Sequence, residues 1–375
     1  MSGQHSILPP SGAKAWRQCP AWVTMNHLYP KPDTPETLEG NAAHWVFSEM
    51  LEGRGVCEGL VAPNGVVVTE EMIEGAELVV ETVAARIPQG VTINIERPVS
   101  LKTVNDHCWG TPDIWSFDGG VIELLDYKFG HRFVDEFEND QCILYAHGIV
   151  DYLAELHNVP PGVFDQHCRV NITIIQPRCF YKGASVRTWS ISAADLRGHI
   201  NKLSAAATVA LSPNPPAITN SECIDCPGRH ACPALQKAAY SDAEFAVQSP
   251  PVDLSPDAAS LELKMLERSL DRLQSRVEGL REVVTGHIRV GKFVPWHRVE
   301  QGYGRQQWSL PVDDVLAMGE LLGVDLSKRG VKTPKQALNS GVDEAVIKAY
   351  SNTPMGSLKL VPDNPADARR VFGNK

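Results

Sequence analysis

The spacing of apolar positions divides the chain into a mixed first part and a helix-rich second part. Ala42, Trp45, Val46 and Met50 recur at helical intervals and predict a helix over 37–52, and a second follows over 70–87. Residues 91–100 alternate and predict a strand. Residues 108–129 predict a hairpin, with a strand around Gly110–Phe117, a tight turn at Asp118-Gly119-Gly120, and a return along VIELLDYKF. A helix over 138–156, strands at Asn171–Gln176 and Val186–Ile191, and an Ala-rich helix over 193–210 complete this part. Helices alternating with strands predict an α/β core with a mixed central sheet flanked by helices.

Pro-rich stretches at 212–222 and 248–257 interrupt the pattern. They suggest a domain over 1–247, a linker over 248–258 and a mostly helical region over 259–375. In that last region Leu263, Leu266, Leu270, Leu273, Val277, Leu280 and Val284 alternate intervals of three and four, which makes a heptad seam. Packing against its own domain is the expectation for this helix, and pairing with another chain is the alternative. A small hairpin over Lys292–Leu310 is predicted, with its turn near Gly302–Gly304. Short helices follow near 312–322, 333–340 and 342–350, and then an extended or wrapped tail over 353–375.

The chain has 375 residues, so at roughly 150 residues per domain it holds two or three. Its 43% hydrophobic and 21% charged residues exclude disorder as the main state. No run of ~18 apolar residues occurs, which argues against a membrane span. The N-terminus lacks the basic-then-apolar pattern of a secretory signal, so a cytoplasmic location is expected. There the nine cysteines are more consistent with metal ligation than with a disulfide framework.

The hairpin carries the candidate chemistry. Asp113 follows Gly110-Thr111-Pro112 on its first strand, and Asp126-Tyr127-Lys128 lies on its second. Positions 126 and 128 share a face, so two carboxylates and one ammonium can meet in one patch. Hard oxygen donors of this kind suit Mg²⁺ or Mn²⁺. Such a cation can polarise a phosphodiester and acidify a water, while a lysine stabilises the transition-state charge. A surface ion pair on a strand is the other reading. His44 lies mid-helix in GNAAHWVF, as a structural residue or as a ligand meeting those carboxylates. Gln141 and Tyr145, four apart on the following helix, share a face. They fit an ordinary amphipathic helix, or hydrogen-bonding groups for a nucleic-acid backbone or for the lysine. Glu39 could join the site.

The order of His44, G-x-x-D at Gly110–Asp113, D-Y-K at 126–128 and Q-x-x-x-Y at 141–145 resembles the RecB-like branch of the PD-(D/E)XK nucleases. The resemblance covers roughly 10–240. It implies a restriction-endonuclease-like core. It further implies that His44, Asp113, Asp126 and the carbonyl of Tyr127 bind Mg²⁺ or Mn²⁺, that Lys128 is catalytic, and that Gln141 and Tyr145 support DNA binding. The second acidic position is Asp where Glu is commoner in that family.

Cys223, Cys226 and Cys232 form a dense thiol cluster. With His230 they could make a local zinc site. The other reading takes a fourth thiolate from Cys19. One cysteine before the nuclease motifs and three after them is similar to iron–sulfur nucleases, including CRISPR adaptation nucleases and AddB-type nuclease domains, and implies a 4Fe–4S cluster. Joining positions 19 and 223 would close a 204-residue loop, worth roughly 4–5 kcal/mol. Cys57, Cys108, Cys142, Cys168 and Cys179 are expected as buried small hydrophobes.

A net charge of −10 is awkward for a DNA-binding protein, whose affinity rests on phosphate neutralisation. Arg169, Arg178, Lys182 and Arg187, together with Lys328, Arg329, Lys332 and Lys335, are the candidate basic groups. Trp16, Trp22, Trp45, Trp109 and Trp115 could stack bases or fill the core. The resemblance implies a deoxyribonuclease, an exonuclease working on linear duplex ends for phage-type recombination. A single-strand annealing protein is a suggested partner, a homo-oligomer a suggested state, and the host cytoplasm the setting if the chain is phage-encoded. A single-strand or flap endonuclease and a non-catalytic iron–sulfur DNA-binding scaffold are the alternatives.

Overall fold

The computed structural model describes residues 6–179, 184–245, 255–303, 307–326, 334, 337, 342–352 and 355–362. Lys182, Lys328, Arg329, Lys332, Lys335 and most of the expected 248–258 linker and 333–340 helix lie outside the described residues. The chain divides into two compact units, 1–276 and 277–375.

In the first unit, α1 (Ala13–Gln18) and α2 (Trp22–Leu28) precede two long helices, α3 (Pro35–Leu51) and α4 (Glu70–Arg86). Then come β1 (Ile93–Ile95), β2 (Val99–Ser100), β3 (Trp109–Gly110), β4 (Ile114–Asp118) and β5 (Val121–Tyr127). The chain continues through α5 (Asp140–Leu156), α6 (Pro161–Gln166), β6 (Arg169–Ile175), β7 (Val186–Ser192) and α7 (Ala193–Ala210) to α8 (Pro233–Phe245). The long helices start where the sequence offers a cap. Thr34, Thr69, Asn139 and Ser192 each accept a hydrogen bond from a backbone N–H in the first turn of the helix they begin.

The five-stranded sheet has the order β1-β4-β5-β6-β7, with β5 and β6 parallel and the other pairs antiparallel. The α5–α6 segment makes the crossover that a parallel pair requires. Alternation along β5 sorts two cores. Ile122 and Leu124 pack with α5 and α7, whereas Leu125 and Tyr127 pack with α3 and α4. The result is the expected α/β core with a mixed sheet flanked by helices.

The strand expected over 91–100 is two strands in two sheets. Glu96 takes a left-handed conformation at φ +44° and Pro98 follows, which ends β1 and turns β2 towards β3.

Helix α9 (Pro256–Arg289) continues past the boundary between the units. Its heptad seam does not pack inward as expected. Leu263, Leu266 and Leu270 are 58%, 51% and 63% exposed. The polar face packs instead, because Arg272 donates two hydrogen bonds to Asp242 of α8 and Arg276 donates to the His230 carbonyl.

The second unit contains β8 (His297–Tyr303), β9 (Gln307–Trp308), α10 (Val312–Leu321), α11 (Glu344–Tyr350), β10 (Ser351–Asn352) and β11 (Met355–Pro362). Among the described residues, β8 and β9 do not pair with each other as a hairpin within Lys292–Leu310 would require. β8 pairs with β11 and β9 with β10, so the described part of the tail expected as extended or wrapped is an extended strand. Val315, Leu326, Ala337, Val342 and Ile347 form a small core.

Candidate active site and cysteine cavity

The side chains singled out in the hairpin and its flanking helices come together at the C-terminal end of β5. Register places Asp113 opposite Asp126, one step beyond the Ile114–Leu125 pair. The backbone N–H of Tyr127 donates to Asp113 Oδ2 at 2.7 Å. His44 Nδ1, from α3, lies 3.3 Å from Asp113 Oδ1. Asp126 shares the α5-facing side of β5 with Ile122 and Leu124, and it is 1% exposed. Lys128 Nζ donates to Asp126 Oδ1 at 3.1 Å and approaches Oδ2 at 3.0 Å. It also donates to Gln141 Oε1 at 3.3 Å, and Gln141 Nε2 faces Asp126 Oδ1 and the Tyr145 hydroxyl, each at 3.4 Å. Tyr127 turns its ring away to the α3–α4 core, 5.4 Å from the His44 ring.

Close packing holds this geometry. A Cβ at Gly110 would stand 2.7 Å from Pro10 Cγ and 2.8 Å from Tyr145 Cε1, so only glycine admits both neighbours.

The charges are mutually tuned. Burial works against a charged His44, but the Asp113 carboxylate outweighs it and raises the imidazole pKa. Burial alone would raise Asp113; His44, Lys128 and the Tyr127 N–H hold it below the usual carboxylate range. Asp126 is raised by burial and by Asp113, in spite of Lys128. For Lys128, burial opposes the charge, and Asp126 and Asp113 raise its pKa nonetheless.

The donors form a hydrogen-bonded set, not a closed cage. Among the described residues no three His, Cys, Asp or Glu side chains converge closely enough to hold a metal ion. Two observations fit the set to a hard cation all the same. Asp126 Oδ2 is buried and has no hydrogen bond of good geometry, and the available donors are carboxylates and an imidazole.

Glu39 stands outside the set, since Arg178 binds it in bidentate fashion and also binds Glu71. A residue that sequence reasoning missed comes in its place. The N–H of Glu96 donates to the Asp113 carbonyl at 2.8 Å, one step beyond the Ile95–Ile114 pair. Burial raises the Glu96 pKa, with the Asp113 charge adding and His44 subtracting. The register of β1 against β4 was the available signal.

Two of the expected basic groups are held by carboxylates of the same unit. Arg178 is paired as above, and Arg187 pairs with Glu136 at 3.1 Å. Of the tryptophans, Trp16 and Trp115 belong to the core, while Trp109 is 39% exposed.

Cys19, Cys223, Cys226 and Cys232 line one cavity, together with Trp22, Met25 and Leu235. Backbone N–H groups of Ile218 and Asn220 point at the sulfurs of Cys19 and Cys223, each at 3.4 Å. Burial raises the thiol pKa values of Cys19 and Cys223 and pushes Cys226 up to about 11. A ring of Arg132–Asp225, Lys14–Glu222 and Lys31 to the Asp225 carbonyl surrounds the loop. Cys108, Cys142, Cys168 and Cys179 are buried as expected, but Cys57 is exposed, because it lies in the open loop after α3.

A family model described as "Protein of unknown function (DUF2800)" matches residues 5–328. The chain belongs to the DUF2800 family. No curated protein matches this DUF2800 sequence. Among solved structures, the DUF2800 chain is similar to one from Eubacterium rectale described as a "putative exonuclease", at 10% identity and a TM-score of 0.35, covering 66% of this chain and 91% of that one. Among the described residues, no helix of the DUF2800 chain is long and apolar enough to cross a membrane.

Proposed function

We propose that the protein is a divalent-metal-dependent deoxyribonuclease of the RecB-like PD-(D/E)XK type that digests linear duplex DNA from its ends. The observation that carries this reading is the meeting at one end of β5 of two sets drawn from separated elements, His44 with Asp113 and Asp126 with Lys128 and Gln141, joined through the Tyr127 N–H. His44, Asp113, Asp126 and the carbonyl of Tyr127 would hold Mg²⁺ or Mn²⁺. That ion supplies a Lewis acid for the phosphodiester and lowers the pKa of a water. The protein's own residues do the rest. Asp113 orients His44. Lys128 offers a fixed positive charge to the phosphoryl oxygens, and Gln141, with Tyr145 behind it, aims Lys128.

The cysteine cavity supports a 4Fe–4S cluster over zinc. The four thiols share one cavity, and N–H groups aimed at sulfur are a known way of tuning such clusters. A role in processing double-strand ends for phage-type recombination, beside a single-strand annealing protein, follows from the family resemblance. The exposed apolar seam of α9 supports a homo-oligomer.

Digestion of linear and covalently closed circular duplex with Mn²⁺ tests the reading, comparing wild type with Asp126→Asn and Lys128→Met. Wild type is expected to degrade the linear form only, and both variants to lose at least about 100-fold in rate. Equal rates in wild type and Asp126→Asn would reduce the protein to a non-catalytic scaffold. Cutting of the closed circle would make it an endonuclease.

A further inference from the structure

The chain is acidic, and Arg178 and Arg187 of the first unit pair with its own carboxylates, yet among the described residues a stretch of the second unit is basic. Between Glu282 and Glu300 there is no acidic residue, while Arg289, Lys292 and Arg298 give the 17 residues of 283–299 a charge of +3. Arg298 is partly neutralised by Glu300 at 2.6 Å. Arg289 and Lys292 are exposed and have no ion-pair partner among the described residues.

Two aromatic rings stand among these cations without cover. Phe293 is 92% exposed and Trp296 is 76% exposed. Helix α9 ends here, with Gly291 at φ +80° and the Lys292 N–H donating to the His287 carbonyl, so the turn projects beyond the helix. Trp296 itself holds a left-handed backbone at φ +65°, a region that disfavours a large side chain. Cations at a helix C-terminus complement its dipole, which accounts for Arg289 and Lys292 but not for the two bare rings.

We infer that the 287–298 turn is a binding site for single-stranded DNA, with Phe293 and Trp296 stacking unpaired bases and Arg289 and Lys292 contacting the flanking phosphates. Charge complementarity selects a polyanion. Exposed ring faces select unpaired bases, because a duplex keeps its base faces stacked inside. The inference rests on the proposed nuclease function only for its choice of DNA, as such a site would hold the strand that end-digestion leaves behind.

The test uses the full chain with a chelator present, so that nothing is cleaved, and reads the anisotropy of a fluorescein-labelled oligothymidine. The Phe293→Ala/Trp296→Ala double variant is expected to weaken binding tenfold or more, with an unchanged far-ultraviolet circular dichroism spectrum. Arg289→Gln/Lys292→Gln is expected to reduce the log–log slope against salt by about 1.4, or about 0.7 for each phosphate no longer neutralised. Lys292→Glu provides a second, independent lesion with the rings intact, and should weaken binding in the same direction. Binding within twofold of wild type in the aromatic variant overturns the inference, as does equal affinity for duplex of the same length. So does an aromatic variant that alters the sedimentation of the protein and leaves oligothymidine affinity intact, which would make the face an interface between copies. Asp126→Asn should bind oligothymidine as wild type does, so failure of the nuclease reading and failure of this one give different results.

Discussion

Arg17 pairs with Asp140 at 2.8 Å, and this ion pair joins the segment that carries Cys19 to the helix that carries Gln141. Arg17 lies two residues before Cys19, and Asp140 is the first residue of α5, immediately before Gln141. Asp140 also places a negative charge at a helix N-terminus. Asp140→Asn removes both interactions. It is expected to cost about 0.5–1 kcal/mol, since Arg17 is 40% exposed, and to lower Tm by roughly 2–4 °C. The rate on linear duplex should fall with it, as Gln141 loses its anchored position. Unchanged Tm and unchanged rate in both Asp140→Asn and Arg17→Ala would show that the two segments are independent.

The cavity itself makes a stronger prediction. Cys19 comes from the start of the chain, and the other three cysteines from the loop that follows the α7 segment. A group bound to all four closes a long loop, worth roughly 4–5 kcal/mol. Cys226→Ala should therefore give a colourless, poorly folded protein, and wild type should be brown, with iron and acid-labile sulfide in equal amounts. A folded, fully active Cys226→Ala protein without iron would refute the staple. Stoichiometric zinc in wild type would refute the cluster.

Glu96 combines backbone strain with position beside Asp113. A non-glycine residue at φ +44° costs about 1 kcal/mol, so Glu96→Gly should leave Tm unchanged or raise it. If the carboxylate serves the cation, both Glu96→Gly and Glu96→Gln should need severalfold more Mn²⁺ for half-maximal activity, and calorimetric titration should show weaker Mn²⁺ binding. A clear fall in Tm with normal Mn²⁺ dependence would make the conformation structural.

Much of the core was legible in the sequence, because β5 states its own structure. Ile122, Leu124 and Asp126 alternate with Leu125 and Tyr127, and each set faces a different helix layer. The Gly119-Gly120 turn then fixes the register that opposes Asp113 to Asp126. Alternation could not reveal Glu96, since one left-handed residue reroutes a strand without changing the pattern. Periodicity exposed the apolar seam of α9 but not what covers it, and the Arg272–Asp242 pair gave the packed face to polar residues. The β8–β11 pairing was hidden because a turn signal near Gly302 is local and the true partner strand lies beyond α11.

His147, on the same helix as Gln141 and Tyr145, predicts an acid-sensitive limb of stability. Its Nε2 is 2.8 Å from the Thr103 hydroxyl and 3.4 Å from Asp151 Oδ2. Burial lowers its pKa, and Asp151 and Asp165, opposed by Arg197, do not restore it. The unfolded chain therefore takes up this proton at higher pH than the folded one. Stability is full above the unfolded value near 6.5 and declines as pH falls from there through the lower folded value. Removing the imidazole removes that part of the decline. Between about pH 7.5 and 5.5, Tm should drop less in His147→Gln than in wild type. Parallel Tm curves for the two proteins would show that His147 titrates alike in both states.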